Sequence, residues 1–337
     1  MELGRAVAER TAGIRRALGI TRRKTGSLRG QLVALVVMCG LVALLPAADS
    51  SQYVLHVATL VLIYIPLSVG QTLVTGDSGQ VAMGQAAYFG LGAYIAAVLS
   101  VDHGVSLIPI VCAGAAAGMC AGTLTGLPAI RISGDYLFIV TIGVNLMFVE
   151  VAINWAGVTG SVSGIPGVPT PSIGPVVFGP GPGIFALALM VAGVSVGVYT
   201  LVTHSWIGTR IHATVDDEIA VQSIGVNPAV GKVLAFTVAS GLAALAGVVF
   251  AYFTQFVGPD EFSFTQSLLI FEMAILGGLG SGWGAALGAA ILIALPQVFL
   301  PLYPISVGLG GAAIVVLMIV RPSGIMGRVK ATTLIKK

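Results

Sequence analysis

Apolar residues in this chain neither alternate nor recur on one helix face. They run on in blocks, at about 31–47, 53–75, 82–100, 106–127, 135–157, 184–203, 233–257, 268–300 and 303–320, parted by short polar or glycine-rich interruptions. A block of about 20 residues, wound as a helix, spans the hydrocarbon of a bilayer. Lipid cannot hydrogen-bond an open backbone, and the short alternating strands of a barrel are not seen, so the blocks predict helices. The expected fold class is an all-α polytopic membrane protein with about 8–10 transmembrane helices, some broken or re-entrant.

Block 268–300 is too long for one crossing and is interrupted by "GGLGSGWG" at 277–284. A hairpin or a re-entrant pair of half-helices satisfies its length. Composition agrees: 56% of the 337 residues are hydrophobic and only 9% charged, and mean hydropathy is +1.01, whereas soluble domains carry about 25% charged residues.

The net charge of +3 is unevenly spread. Residues 1–29 hold eight Lys/Arg against two acids, and residues 321–337 hold five against none. Arg131, Arg210 and Lys232 supply the rest, while the segments 49–52, 101–105, 158–183 and 258–267 hold none. Basic residues concentrate on the cytoplasmic side of inner-membrane proteins, so both termini and the 128–134 and 204–232 segments are expected inside. The organisation expected is a basic tail (1–29), a transmembrane domain (30–320) with a cytoplasmic loop at 204–232, and a second basic tail (321–337). The first tail is long for a cleaved signal peptide, so 31–47 is expected to remain as an anchor helix. Its Lys/Arg would hold it to anionic lipid at about 1 kcal/mol each.

Glycine marks packing and interruption. Gly114, Gly118, Gly122 and Gly126 recur every fourth residue and predict a bare helix face for close packing, a device that Gly280, Gly284 and Gly288 are expected to repeat. The stretches 74–94 and 274–288 mix glycines with polar side chains between apolar runs. They read either as broken helices beside a translocation path or, for 76–80, as a turn in the cytoplasm. Pathway candidates are Gly76, Gln80, Gln85, Asn145, Glu150, Glu272, Gly277 and Gly278. Charges in a bilayer cost about 2.5–3.5 kcal/mol on insertion scales, so Glu150 and Glu272 are expected to face the protein interior or lie near an interface.

Enzymatic signatures do not emerge. Gly231-Lys232 lacks the glycine-rich approach of a phosphate-binding loop, and His56, His103, His204 and His212 are too scattered to predict a metal site. Cys39, Cys112 and Cys120 fall in apolar runs without the spacing of a disulfide framework or metal site. An intramembrane enzyme finds no support in these residues, and no cofactor of the chain's own is expected.

Against this apolar background Asp216, Asp217 and Glu218 stand in a row. Residues 213–224 predict a short helix begun by Thr214, with the acids in its first turn, where the helix dipole favours negative charge, and closed by Gly225. Ala220, Val221 and Ile224 would form an apolar strip, and such a helix on a loop suits docking on another protein.

Over nearly all of 50–327 the chain resembles the permease subunits of branched-chain amino acid ATP-binding cassette importers, of the LivM-type branch. The matching stretches are "GQVAMGQAAYFGLGAYIAAVL" (79–99), "RISGDYLFIVTIGVNLMFVEVAINWAGVTGSVSGIPGVP" (131–169), "GTRIHATVDDEIAVQSIGVNPAVGKVLAFTVASGLAALAGVVFAY" (208–252), "FVGPDEFSFTQSLLIFEMAILGGLGSGWGAALGAAIL" (256–292) and "IVRPSGIMG" (319–327). The resemblance implies a multi-pass inner-membrane subunit with a second similar permease, two cytoplasmic ATPases that use the ATP, and an external substrate-binding protein as partners. It implies a coupling helix on the ATPase within 204–232. Glu218, Ala220 and Gly225 match its motif loosely, since Ile219 replaces an alanine and the Glu-to-Gly spacing is one residue longer; Arg210, Asp216 and Asp217 join them as coupling candidates. The implied substrate is a branched-chain or related amino acid; urea or a short amide is the alternative, and an ion-coupled carrier a more distant one. Alanine at Asp217 and Glu218 is expected to weaken ATPase binding and uptake together, measured by copurification and transport assay; wild-type levels of both would contradict this assignment.

Overall fold

The computed structural model describes residues 52–130, 132, 135–216, 227–298 and 324–326, with positions 31, 35, 38–40 and 42. Nine main helices carry the described part: α1 Gln52–Thr72, α2 Gln85–Val101, α3 Leu107–Gly126, α4 Asp135–Asn154, α5 Pro182–His204, α6 Trp206–Asp216, α7 Pro228–Thr254, α8 Phe264–Gly277 and α9 Gly282–Val298. Among the described residues five helices are long and apolar enough to cross a membrane, namely α1, α3, α4, α5 and α7, and α2, α8 and α9 are shorter apolar helices. The fold is all-α and polytopic. The tails 1–29 and 327–337 and the block 303–320 lie outside the described residues.

α7 is the axis. Asn227 caps it, its side-chain oxygen accepting from Ala229 N at 3.0 Å, and Pro228 at the first turn gives up no needed donor. At 27 residues, α7 is about 40 Å long at 1.5 Å rise per residue. α3 lies antiparallel along it: Gly114, Gly118, Gly122 and Gly126 face Val248, Ser240, Phe236 and Val233 in turn. A Cβ on Gly118 would lie 2.7 Å from the Ser240 carbonyl oxygen, and one on Gly122 would lie 2.7 Å from that of Phe236. The four-residue repeat is therefore a contact surface, as its spacing predicts, and Thr123 and Thr237 add a 2.8 Å hydroxyl bond between the helices.

α2 runs beside α7 and returns along α3, where Tyr88 bonds Thr125. Phe89, Phe250 and Phe262 meet in tilted and edge-on ring contacts, with centroids 5.0–6.2 Å apart, at the centre of the core. Beyond α7, residues Phe256–Val257 pair with Ile165–Pro166 and tie down a lobe of short turns between α4 and α5.

Block 268–300 is a hairpin. Gly284 lies against Gly277 and Gly288 against the Met273 carbonyl, so α8 and α9 run antiparallel about the turn 278–281. The spacing argument fails for Gly280, which sits in that turn at φ +79° instead of on the helix face with Gly284 and Gly288. α9 is also antiparallel to α1, through Tyr53 OH to the Gln297 carbonyl (2.6 Å) and Ser68 Oγ to that of Ala285 (2.9 Å).

Gly118→Val is expected to push α3 off α7 at a cost of about 1–3 kcal/mol, the usual range for overpacking. Gly143→Ala in α4, where nothing stands within 4 Å of the new methyl, should leave the unfolding midpoint in detergent unchanged. Equal effects of the two substitutions would contradict the packing described.

Candidate functional site

The site begins where α1 stops being regular. After Pro66, which withholds one backbone donor, the last turns widen into a π-helical turn, Leu73–Asp77, a form that concentrates at functional sites. The chain then leaves the helix. Ser78 N donates to the Leu73 carbonyl (3.1 Å), Gln80 N to that of Val74 (3.1 Å), and Gly79 takes φ +71°. The Gln71 side chain donates to Thr75 Oγ1 (2.8 Å) and to the Ala82 carbonyl (2.7 Å), and Met83 N finds Thr141 Oγ1 at 3.0 Å. Side chains thus replace the helical bonds that the break removes, as backbone within a membrane protein requires.

The second break, between α8 and α9, touches the first. A Cβ on Gly76 would stand 3.0 Å from the Leu279 carbonyl carbon and 3.1 Å from Gly280 Cα, so the two segments meet backbone to backbone. The carbonyls that α8 exposes at its end are taken by a distant segment: Ile325 N donates to Leu276 O (3.0 Å) and Met326 N to Gly277 O (2.9 Å).

Beside this contact Asp77 is 1% exposed. Tyr199 of α5 donates its hydroxyl to Oδ2 at 2.6 Å, and His212 Nδ1 of α6 stands 3.4 Å from Oδ1. The Tyr199 ring also covers Gly282, the first residue of α9, where a Cβ would lie 2.5 Å away. A buried carboxylate stripped of its partners costs about 3–5 kcal/mol, so these contacts hold the segments together firmly.

α6 brings His212 into this cluster. Ser205 starts the helix, its hydroxyl accepting from Ile207 N (3.2 Å) and Gly208 N (3.5 Å). Ile211 is fully buried and Gly208 packs against carbonyls at the end of α5, while Gly231 of α7 leaves only 3.0 Å between a Cβ and the Arg210 carbonyl oxygen. The opposite side is open: Trp206 is 62% exposed and Arg210 lies over its ring at 4.6 Å. The start expected for the helix 213–224 is thereby corrected. The described helix starts nine residues earlier, at Ser205 and not at Thr214, because Gly208 and Ile211 dock on the bundle, and Asp216 is its last described residue instead of a first-turn acid. Asp217, Glu218, Ala220 and Gly225, with Val221 and Ile224, lie outside the described residues. Lys232, read as a loop charge, is buried in the early turns of α7.

A second polar node lies farther along the bundle. Asn145, fully buried in α4, donates to the Phe262 carbonyl (2.9 Å) and accepts from Ser267 Oγ of α8, which in turn accepts from Ala86 N in the first turn of α2. Along the first break Thr72 Oγ1, both polar atoms of Gln80 and Gln85 Oε1 are buried with no hydrogen-bond partner among the described residues.

Of the pathway candidates, Gly76, Gln80, Gln85, Gly277 and Gly278 lie in or beside the two breaks, and Asn145 joins α4 to α8. Glu272 is half-buried on α8. Of the two placements expected for Glu150, the protein interior is not the one found: it is exposed near the far end of α4, where Asn154 Nδ2 bonds its carbonyl (2.8 Å) and its Oε2 (3.3 Å). Outside the spans, burial first and the charge of Asp260 second push the Glu261 carboxyl above its usual range. The reading from sequence overlooked Asp77, Tyr199 and His212. Asp77 was visible as an ionisable residue ending an apolar run, the kind of position that marks a functional site by default.

Comparison with known proteins adds identity to geometry. Residues 53–321 match the family described as "Branched-chain amino acid transport system / permease component". The chain is 30% identical over 302 residues to the high-affinity branched-chain amino acid transport system permease protein LivM of Escherichia coli K12, covering 82% of this chain and 70% of that one. It is 28% identical over 285 residues to the autoinducer 2 import system permease protein LsrC of Enterobacter sp. strain 638, covering 82% and 80%. A shorter likeness, 30% over 130 residues, links it to the LivH permease protein of Salmonella typhimurium, covering 38% and 42%. No solved structure matches the chain.

Asn145→Leu keeps the branched shape of the side chain but removes both bonds of the second node and is expected to cost about 1–2 kcal/mol. Glu150→Gln, at an exposed site, should leave stability unchanged; unfolding in graded detergent mixtures separates the two, and equal stability of both variants would contradict the node.

Proposed function

The chain belongs to the branched-chain amino acid permease family, and from that premise we propose that it is the transmembrane subunit of an ATP-driven importer, carrying a branched-chain or related amino acid across a bacterial inner membrane. One observation supports this reading above the others: two broken helical segments meet at one end of the bundle, and the buried Asp77 ties them to a helix whose opposite face is exposed. An importer driven by separate ATPases needs such a linkage, from a docking surface outside the lipid to segments that can rearrange within it.

In this reading α6 is the coupling helix and Trp206 and Arg210 meet the ATPase, with the acids at 216–218 following. The end of the bundle that bears α6 faces the cytoplasm, because Arg210 and Lys232 lie there, while the lobe between α4 and α5 holds no Lys or Arg and faces the external binding protein. A second, similar permease completes the path, and two ATPases bind the ATP.

The relatives and the buried polar groups at the first break support the substrate reading together. The LivM relative is named for branched-chain amino acids, and the LsrC relative for autoinducer 2, so related chains serve different cargo. The buried groups without partners, on Thr72, Gln80 and Gln85, are neutral. They suit a solute whose charges cancel, such as a zwitterion with an alkyl side chain. The same neutrality supports urea or a short amide as the alternative substrate. An ion-coupled carrier gains little from Glu150, which is exposed at the other end of the bundle.

Copurification of this chain from its host in mild detergent should bring a second permease and ATPase subunits. The complex in liposomes should accumulate leucine, isoleucine or valine only with ATP and an external binding protein. Recovery of the chain alone, with solute flux independent of ATP, would overturn the importer reading; ATP-driven flux of urea in place of amino acids would overturn the substrate.

A further inference from the structure

We propose that Asp77 is the positioning residue through which movement of α6 reaches both broken segments, with His212 as its contact on α6 and Tyr199 as its contact on the wall. The inference rests on the importer reading above and deepens it by naming the residue that carries the linkage.

Asp77 closes the π-helical turn of the first break. A Cβ on Gly280 of the second break would lie 3.7 Å from its Oδ1, so the carboxylate borders that turn directly. Tyr199 bonds Oδ2 at 2.6 Å and its ring rests on Gly282, where the second break re-enters a helix. His212 reaches Oδ1 at 3.4 Å from α6. One carboxylate therefore touches four elements: the end of α1, the turn before α9, α5 and α6. Mechanical alternatives are poorer. Glycine contacts such as Gly231 on Arg210 resist compression and transmit no pull, whereas the polar contacts of the Asp77 carboxylate with Tyr199 and His212 resist separation as well.

Direction follows as well. A displacement of α6 that carries His212 outward draws on Asp77, and Asp77 cannot follow without shifting Gly76 against Gly280, since that backbone contact leaves no slack. From there the motion passes into residues 78–84, which end on Thr141 and on the turn before α2. Interfaces packed this closely switch between discrete arrangements and do not deform smoothly.

The test uses the complete importer in liposomes and measures uptake and ATP hydrolysis on the same preparation. Asp77→Asn and His212→Gln are expected to assemble with the ATPases and hydrolyse ATP at near wild-type rates, while uptake per ATP falls about tenfold or more, within the usual range of coupling between sites. Tyr199→Phe should lower the same ratio by a smaller factor. The double variant Asp77→Asn with His212→Gln should transport no worse than the poorer single one, because both act through one contact. A purely structural role would instead lower assembly, hydrolysis and uptake in parallel, and that result, or an unchanged ratio, overturns the proposal. If Asp77→Asn does not assemble, His212→Gln and Tyr199→Phe, which retain the carboxylate, decide by the same ratio. A wild-type chain that binds no ATPase would bring down the importer reading itself, an outcome visible before any variant is made.

Discussion

A helix interrupted in a protein interior leaves amides and carbonyls that must find new partners, and the described part of this protein is organised around two such interruptions placed in contact. The break after Asp77 and the turn after Gly277 supply the missing bonds from side chains and from distant backbone: Gln71, Thr141, and the amides of Ile325 and Met326. Because Gly76 and Gly280 have no side chains, the two segments approach until neither can move alone. Everything else positions that contact. α7 and α3, zipped along four glycines, form a rigid slab, α5 brings Tyr199, and α6 brings His212.

The contrast between rigid and adjustable parts has a chemical basis. Where α3 meets α7 the contact is backbone against backbone or small side chain, with few polar groups. Where the breaks meet, the interior is crowded with amides and hydroxyls, several without partners among the described residues. Such groups are costly in a static core. They make sense in a segment that exchanges partners, with solute, with water or with an alternative arrangement of the chain.

Much of this was legible from the amino-acid sequence. Apolar run length marks the helices because the bilayer sets one scale for all of them, and the length of 268–300 forces a turn that the glycines at 277–284 locate. The repeat Gly114–Gly126 shows its function by spacing alone. Gly280 shows the limit of that signal, since a four-residue interval looks the same on a helix face and across a turn. Ser205 and Thr214 are both competent caps, and the choice between them was made by the burial of Gly208 and Ile211, which no local rule reveals. Two placements stayed open for Glu150 because hydropathy gives depth along the helix but not the direction of the side chain. The meeting of Asp77 with His212 joins positions far apart in the chain, and sequence spacing carries no information about it.

In the proposed cycle α6, the two breaks and the start of α9 move as one body against the slab and the outer lobe. Its most direct test is the pair of distances between spin labels in the assembled, cysteine-free importer, one from Thr209 to Leu287 and one from Thr209 to Ser163, all three exposed or half-exposed positions. Through a cycle of ATP binding and hydrolysis, the first distance is predicted to hold while the second changes. A changing first distance with a fixed second one would show that α6 moves independently of the breaks, and would contradict the account.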